Sequence, residues 1–408
     1  MTGQALSGLL VVDLTTEIDG PYSTKLLADL GARVVKVEPL EGDPARRLGP
    51  FPTDVVDEEA SALFLYLNAN KESVTADITR AAGRDLIAAL AARADILVEN
   101  FEPGAMARYG LSFETLHSAN RRLVVTSLTP FGQYGPYAQW KGPEIVRQAV
   151  GGWLIQGGLP DREPLMAGAN LSLYVSGACC AGATLIAYLN ARSTGEGQHV
   201  DVSAMEALIT CSGQEIYKAS RGQVTWTRLG HQSLPFVMMP CRDGWVGINL
   251  LFDRDWVALC ELSGMTDLLE DPRFDKLAKL RLPGRAEELN GRLREWARRQ
   301  EKTWLVTKAQ ERRIPVVYVP TMPEVMESPQ HLARNFLRRV EHPAGSYVQP
   351  GPPFQLSVTP WRITRGAPTL GSSNDAIEEL LSALPASTEL DLKSAWEADP
   401  SRTPVEAE

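Results

Sequence analysis

The first apolar run, Leu9–Leu14 (LLVVDL), limits the fold more than any other stretch. It offers almost no polar face to water, as expected of a strand buried on both sides in a parallel sheet. The turn TTEIDGP follows, and Tyr22–Leu30 then carries Leu26, Leu27 and Leu30 at helical spacing until Gly31 stops it. Val34–Val37 is the next strand and completes a βαβ unit. The alternation continues through a strand at Ser73–Ile78, a helix at Ala82–Ala92, a strand at Asp95–Glu99, a helix at Phe113–Ser118 and a strand at Leu123–Ser127. Strands alternating with helices predict an α/β fold with a doubly wound parallel sheet, which binds ligands at the carboxyl ends of its strands. The turn after the first strand holds Glu17, Asp19, Gly20 and Pro21 and no GxGxxG, so a dinucleotide fingerprint is absent.

A chain of 408 residues has room for two domains, each with its own core. Pro164–Ser203 opens on a polar turn, continues as a small-residue helix through Gly177, Ala178, Cys179, Cys180 and Ala181, and ends in a Gly-rich turn and a strand. Asn170 or Ser172 is the expected cap of that helix. Ala204–Ser220 reads as a further helix. A smaller α+β unit is expected after it, with strands near Phe236–Pro240, Trp245–Asn249 and Val316–Val319 and helices near Trp256–Ser263, Ala286–Gln300 and Lys302–Arg312. Pro343–Gly371, rich in proline and glycine, is expected to run extended and pack back on the first domain. The resulting division is 1–220 for the first part of a large ligand-binding domain, 221–233 for a linker, 234–320 for the small domain, 321–386 for a segment returning to the large domain, and 387–408 for a loosely ordered tail.

Composition excludes several functions. No run of about 18 uninterrupted apolar residues exists, so no membrane span is expected. The N-terminus lacks a basic region and runs straight into a strand, so no signal peptide is expected and a cytoplasmic location is the default. A net charge of −9 argues against a general nucleic-acid binder. Cys179, Cys180, Cys211, Cys241 and Cys260 lack ligand spacing and read as small core residues. The five histidines form no HExxH or HxH pair, so no metal is expected, and the absence of GxSxG disfavours a hydrolase serine.

The candidate functional residues lie at strand ends. Glu17 and Asp19 follow the first strand, where they either cap the next helix or meet a substrate. Lys36 ends the second strand with Arg46 and Arg47 close behind; Lys71, Arg108 and Lys141 flank other strands and turns. Placed cations of this kind suit a nucleotide's phosphates. Asn100 and Phe101 close a strand with an amide beside an aromatic ring, a pairing able to grip an adenine or a pantetheine arm. Met238, Met239, Trp245, Phe252 and Trp256 read either as core or as a wall for an apolar acyl group.

Taken together, LLVVDLTTEIDGPYSTKLLADLGARVVKVEP, LNANKESVTADI, ADILVENFEPGAMARYGL, SLTPFGQYGPY, ARSTGEGQHVDVS and PGPPFQLSVTPWRI resemble the family III CoA-transferases, the CaiB/BaiF group, over nearly the whole chain. The resemblance implies a Rossmann-like large domain built from both chain ends, a smaller middle domain, and two protomers interlocked like chain rings. It implies coenzyme A or acyl-CoA and a carboxylic acid as substrates, with no metal. It puts Lys36, Arg46, Lys71, Asn100, Phe101, Arg108 and Lys141 on or beside the segments that contact CoA.

In that family an Asp at the opening of the small-residue helix attacks the acyl-CoA thioester to give a mixed anhydride. The expelled CoA thiolate then takes the aspartyl group as a thioester, and two further exchanges pass CoA to the acceptor acid. Aligned without a gap, the position of that Asp holds Leu173, and Asn170 is the nearest polar look-alike. Pro143 stands where the racemase branch has a His, and Arg228–Gln232 replaces a glycine-rich loop. Three functional expectations follow. The first is a transferase subunit whose Asp comes from a homologous partner chain, as against a self-sufficient homodimer. The second is an acyl-CoA isomerase or racemase, lyase or hydrolase using Asp19 or Glu17, and the third is a non-catalytic CoA-ester binding protein.

Overall fold

In a computed structural model the chain divides into two compact units, residues 1–157, 165–224 and 335–408 in one and residues 158–164 and 225–334 in the other. The structure describes residues 3–159, 161–223, 236–280 and 285–383. Most of the expected linker 221–233, with Arg228–Gln232 inside it, and the expected tail 387–408 lie outside them.

The first unit holds strands β1 (Leu10–Asp13), β2 (Arg33–Glu38), β3 (Lys71–Thr75), β4 (Ile96–Glu99), β5 (Val124–Thr129) and β6 (His199–Ser203). They form one sheet in the order β3-β2-β1-β4-β5-β6, parallel throughout. That order is the doubly wound one, and its topological switch point lies between β1 and β4. The helices are α1 (Asp19–Asp29), α2 (Ala62–Asn68), α3 (Ala81–Ala91), α4 (Ala105–Arg108), α5 (Phe113–Ala119), α6 (Glu144–Val150), α7 (Leu171–Thr194), α8 (Ala204–Thr210) and α9 (Gly213–Ser220).

Alternate residues of β1 serve opposite faces. Val11 packs with Leu27 and Ala28 of α1 and with Cys180, Ala187 and Ala191 of α7. Val12 packs with Ile87 and Leu90 of α3, Leu116 of α5 and Ile377 of the helix Asn374–Ala383. The segment 335–383 folds onto this unit: Arg362 N–H donates to Asp29 O, and Thr75 N–H donates to Asn374 Oδ1. Within it, Tyr347–Pro350 pairs antiparallel with Leu337–Val340, a hairpin in a stretch expected to be merely extended. The helix expected over 204–220 is broken at Cys211 and Ser212, where Ser and Gly, both weak helix formers, restart it as α9.

Helix α7 has the length and apolar composition of a membrane span. Its inner face nevertheless buries Ser172, Ser176 and Thr184, and Thr184 shares a hydrogen bond with Thr126 of β5. Its close approach to α1 rests on missing side chains. A Cβ at Gly177 would come within 2.5 Å of the Asp19 carbonyl oxygen.

In the second unit β7 (Phe236–Cys241), β8 (Gly244–Asn249) and β9 (Val316–Tyr318) form an antiparallel sheet. Helices Asp253–Ser263, Ala286–Ala297 and Lys302–Glu311 cover one face through Trp256, Leu259, Leu293 and Leu305. Trp256 is fully buried and donates its indole N–H to Phe274 O at 2.7 Å. Met239 joins it in the core, whereas Met238, Trp245 and Phe252 are exposed. Cys180, Cys241 and Cys260 are core residues as expected, but Cys179 and Cys211 are exposed, because they lie on the outward sides of α7 and the α8 end.

The helix contact yields a paired expectation. Gly177→Ala is expected to cost about 2 kcal/mol or more, since backbone blocks the new methyl. Gly182→Ala on the same helix meets nothing within 4 Å and should be neutral or stabilising by up to about 1 kcal/mol. Urea unfolding of both variants measures the difference.

Candidate active site

The crevice at the switch point is built by the two loops that leave β1 and β4. Leu14 N–H makes the last bond between these strands, to Val98 O at 2.9 Å. The Asn100 side chain then takes over as a substitute for a strand. Its Oδ1 accepts from Thr16 N–H at 3.0 Å, its amide donates to Thr16 O at 2.9 Å, and the same amide reaches Asp19 Oδ1 at 3.3 Å. The loop after β1 is thus pinned across the crevice by one side chain. Phe101, half-buried beside it, packs with Met106 and Leu111.

Beneath the crevice lies a cluster of buried charges. Lys71 donates to Asp13 Oδ2 at 3.0 Å, Pro21 O at 2.9 Å and Asn68 Oδ1 at 2.8 Å, which uses all three of its protons. Lys36 donates to Thr15 O at 2.7 Å and pairs with Asp43 at 2.8 Å. Arg46 grips Glu38 with two nitrogens at 2.8 and 2.9 Å and Glu59 with a third at 3.0 Å, and it stacks on Phe64. Burial opposes ionisation of Asp13, but Lys71, Lys36 and the hydroxyls of Thr15 and Thr24 outweigh it and hold the carboxyl well below its usual range. For Lys71 burial prevails and brings the ammonium down to about 8.

The expected phosphate ligands therefore fall into two groups. Lys36, Arg46 and Lys71 lie inside the protein, each paired there with a carboxylate. Arg108 and Lys141 stand at the surface, Lys141 paired with Glu102 of the β4–α4 loop. Next to Lys141, Tyr137 and Trp140 stack at 4.0 Å between ring centroids, and Phe131 meets both edge-on.

The two candidate carboxylates differ in the same way. Asp19 is buried, accepts from Gly20 N–H at 2.8 Å and pairs with Arg147 at 2.6 Å. Glu17 is exposed in a left-handed backbone conformation (φ 67°), a sparsely populated state for a residue with a side chain. Its N–H donates to Asp43 at 3.0 Å, while among the described residues nothing hydrogen-bonds its carboxylate. Although the residue reaches solvent, desolvation of its carboxylate by the surrounding loop and the charges of Asp19 and Asp43 raise its pKa, against the opposing charge of Arg147.

Helix α6 ties this crevice to the opening of α7, through residues not singled out from the sequence. Arg147 joins α6 to α1 through Asp19. One turn earlier, Glu144 accepts from Ser172 N–H at 3.0 Å and from the Ser172 hydroxyl, at the first turn of α7. Glu144 and not Asn170 supplies the side-chain cap: Asn170 follows Ala169 in a left-handed conformation (φ 54° and 60°) and makes no side-chain cap bond. The signal in the sequence was an acid and a base three apart just past Gly142 and Pro143. Leu173 is half-buried in that first turn, and the adjacent Tyr174 meets Tyr22 edge-on at 4.8 Å.

Comparisons with known proteins agree with this architecture. The sequence model of CoA-transferase family III matches residues 6–374. Succinyl-CoA:(R)-benzylsuccinate CoA-transferase subunit BbsE of Thauera aromatica is 31% identical over 380 residues, covering 90% of this chain and 92% of its own. Formyl-CoA:oxalate CoA-transferase of Streptomyces coelicolor is 32% identical over 400 residues, covering 92% and 95%. The crystal structure of a CAIB/BAIF family protein from Brucella suis matches with a TM-score of 0.84 at 29% identity, covering 93% of this chain and 100% of that one.

Double substitution measures how strongly the buried Asp19–Arg147 pair is coupled. Asp19→Asn alone leaves a buried guanidinium without its counter-charge and should cost about 3 kcal/mol. Adding Arg147→Gln should recover about half of that loss, measured by denaturant unfolding.

Proposed function

Because the chain belongs to CoA-transferase family III, we propose that it binds an acyl-CoA at the β1–β4 crevice and serves CoA transfer between that ester and a carboxylic acid as a subunit whose nucleophilic Asp comes from a partner chain. The observation that carries this reading is the first turn of α7. Leucine occupies position 173, and the neighbouring carboxylates are committed, Glu144 to Ser172 and Asp19 to Arg147. A carboxylate that holds buried donors is a poor nucleophile, because attack forfeits those bonds. The relative named as a subunit supports a heteromer, and the outer stripe of α7, where Ala178, Cys179, Gly182, Ile186 and Leu189 are exposed, offers a face for a second chain of either kind. By the same analogy, Asn100 and Phe101 line the ligand's path while Arg108 and Lys141 meet its phosphates. Lys36, Arg46 and Lys71 support that path from beneath.

A second reading rests on Glu17. Its exposed carboxylate, without hydrogen-bond donors and with a raised pKa, has the character of a general acid/base for isomerisation or hydrolysis of an acyl-CoA. The geometry thus favours Glu17 over Asp19 for this role.

Position 173 separates the readings. The purified chain is expected to bind acyl-CoA and to show no CoA transfer until an Asp-bearing homologous subunit is added. Leu173→Asp should allow the chain alone to form an aspartyl-CoA thioester, seen by mass spectrometry as an addition of one CoA less one water. Transfer by the unmodified chain alone would overturn the subunit reading. Turnover of an acyl-CoA that Glu17→Gln abolishes would establish the second.

A further inference from the structure

The loop that leaves β5 carries an aromatic cluster with no role in either reading. It starts at the sheet edge that holds the crevice, one strand beyond β4. Met205 N–H donates to Pro130 O at 3.0 Å, and Gln133 N–H donates to both carboxylate oxygens of Asp201 at 3.1 and 3.0 Å. Gly142 brings the returning chain so close that a Cβ there would lie 2.3 Å from that of Pro130. Inside this closed loop Trp140 N–H donates to Tyr137 O at 2.8 Å. The turn sets the two rings on one side, where they stack at 4.0 Å with 28° between their planes. Phe131 is buried and braces both in edge-to-face contact.

Tyr137 covers one face of the indole, yet Trp140 remains 52% exposed. A fixed aromatic surface is thus left open to solvent, and cations stand beside it. Lys141 is the next residue and pairs with Glu102 of the β4–α4 loop. Arg108 of α4 reaches Gly104 in that same loop, where a Cβ would come 3.6 Å from its Nη1. Among the described residues its guanidinium makes no hydrogen bond or ion pair.

Taking the crevice as the CoA site, we propose that Trp140, backed by Tyr137, is the shelf on which the adenine of CoA stacks. Glu102 is the counter-ion that holds Lys141 in place until the ligand's phosphates replace it. A flat aromatic surface accepts any planar ring; the cations beside it select a ring that carries phosphate. Adenine, through its ribose, is the ring of an acyl-CoA that does so, whereas an aromatic acyl group sits at the far end of the pantetheine arm from the phosphates. The stack suits this task for a second reason. Tyr137 and Phe131 already hold the indole, so little side-chain freedom remains to be lost on binding. The Lys141–Glu102 pair is exposed on both sides, 83% and 62%, and such a pair is held weakly enough for phosphate to displace it.

Titration calorimetry of the full chain with coenzyme A and with phosphopantetheine, which lacks the adenine nucleotide, tests the shelf. Trp140→Ala is expected to weaken coenzyme A roughly tenfold or more and to leave phosphopantetheine within about twofold. Trp140→Phe keeps a ring to stack on and should recover most of the loss. Glu102→Gln removes the competing charge and should tighten coenzyme A by roughly two- to fivefold at low salt. Unchanged affinity for coenzyme A in Trp140→Ala, or equal weakening of both ligands, would overturn the shelf. So would a Trp140→Ala variant that changes oligomeric state in size-exclusion chromatography and keeps its coenzyme A affinity, which would mark the cluster as a protein contact. Should Trp140→Ala fail to fold, Trp140→Leu, with apolar bulk but no ring, decides in its place. Unchanged affinity in Glu102→Gln would overturn the counter-ion role. Failure of the unmodified chain to bind either ligand would instead overturn the assignment of the crevice.

Discussion

The buried pair of Asp13 and Lys71 is the constraint on which the crevice depends. Asp13 ends β1, Lys71 begins β3, and between them lies β2 with Lys36 and its partner Asp43. Removing charges from water costs several kcal/mol per ion before pairing returns it, so such a cluster is weak evidence for stability. What it does supply is position. With all three protons of Lys71 assigned, including one to the carbonyl of Pro21, the end of the loop after β1 is tied to the start of β3. That loop presents Glu17 outward, in a strained conformation, and delivers Asp19 to the first turn of α1.

From the same loop the constraint passes to α7. Gly177 lets α7 approach the backbone of Asp19, and Arg147 holds the Asp19 carboxylate from the other side. A helix of only seven residues, α6, therefore sets the relation between the crevice and the opening of α7. Short helices are marginal by themselves. This one is anchored by what it binds, because Arg147 also donates to Gly142 O at 2.6 Å and Gln148 to Ala167 O at 3.0 Å.

The sheet was legible because strands buried on both faces leave continuous apolar runs, and LLVVDL and DILVE point straight at β1 and β4. Helix α2 was not, since Ser61–Asn68 lies in a stretch where no period stands out and only the cap at Ser61 marks it. The same limit applies to the site. Lys36, Arg46 and Lys71 were legible as cations near strand ends, but sequence does not say which way a side chain points. Burial turned them inward, toward Asp43, Glu38 and Asp13, whose need for counter-charge is a three-dimensional fact. Arg147 and Glu144 escaped notice for the converse reason: their partners, Asp19 and Ser172, are distant in the chain.

The cap on α7 also bears on why leucine is tolerated at position 173. The first turn of a long helix concentrates partial positive charge and unpaired N–H groups, and a carboxylate there is ordinarily stabilising. Here Glu144 satisfies Ser172 N–H from α6, and the carbonyl of Asn170 accepts from Leu173 and Tyr174. The electrostatic demand of the helix terminus is thus met from outside α7. Position 173 is released from it and takes a half-buried apolar side chain without leaving the terminus bare. An acid at 173 would share this turn with Glu144, two carboxylates competing for one set of donors. Such a pair raises the pKa of one member, so the chemistry of that turn depends on α6 as much as on the residue at 173 itself.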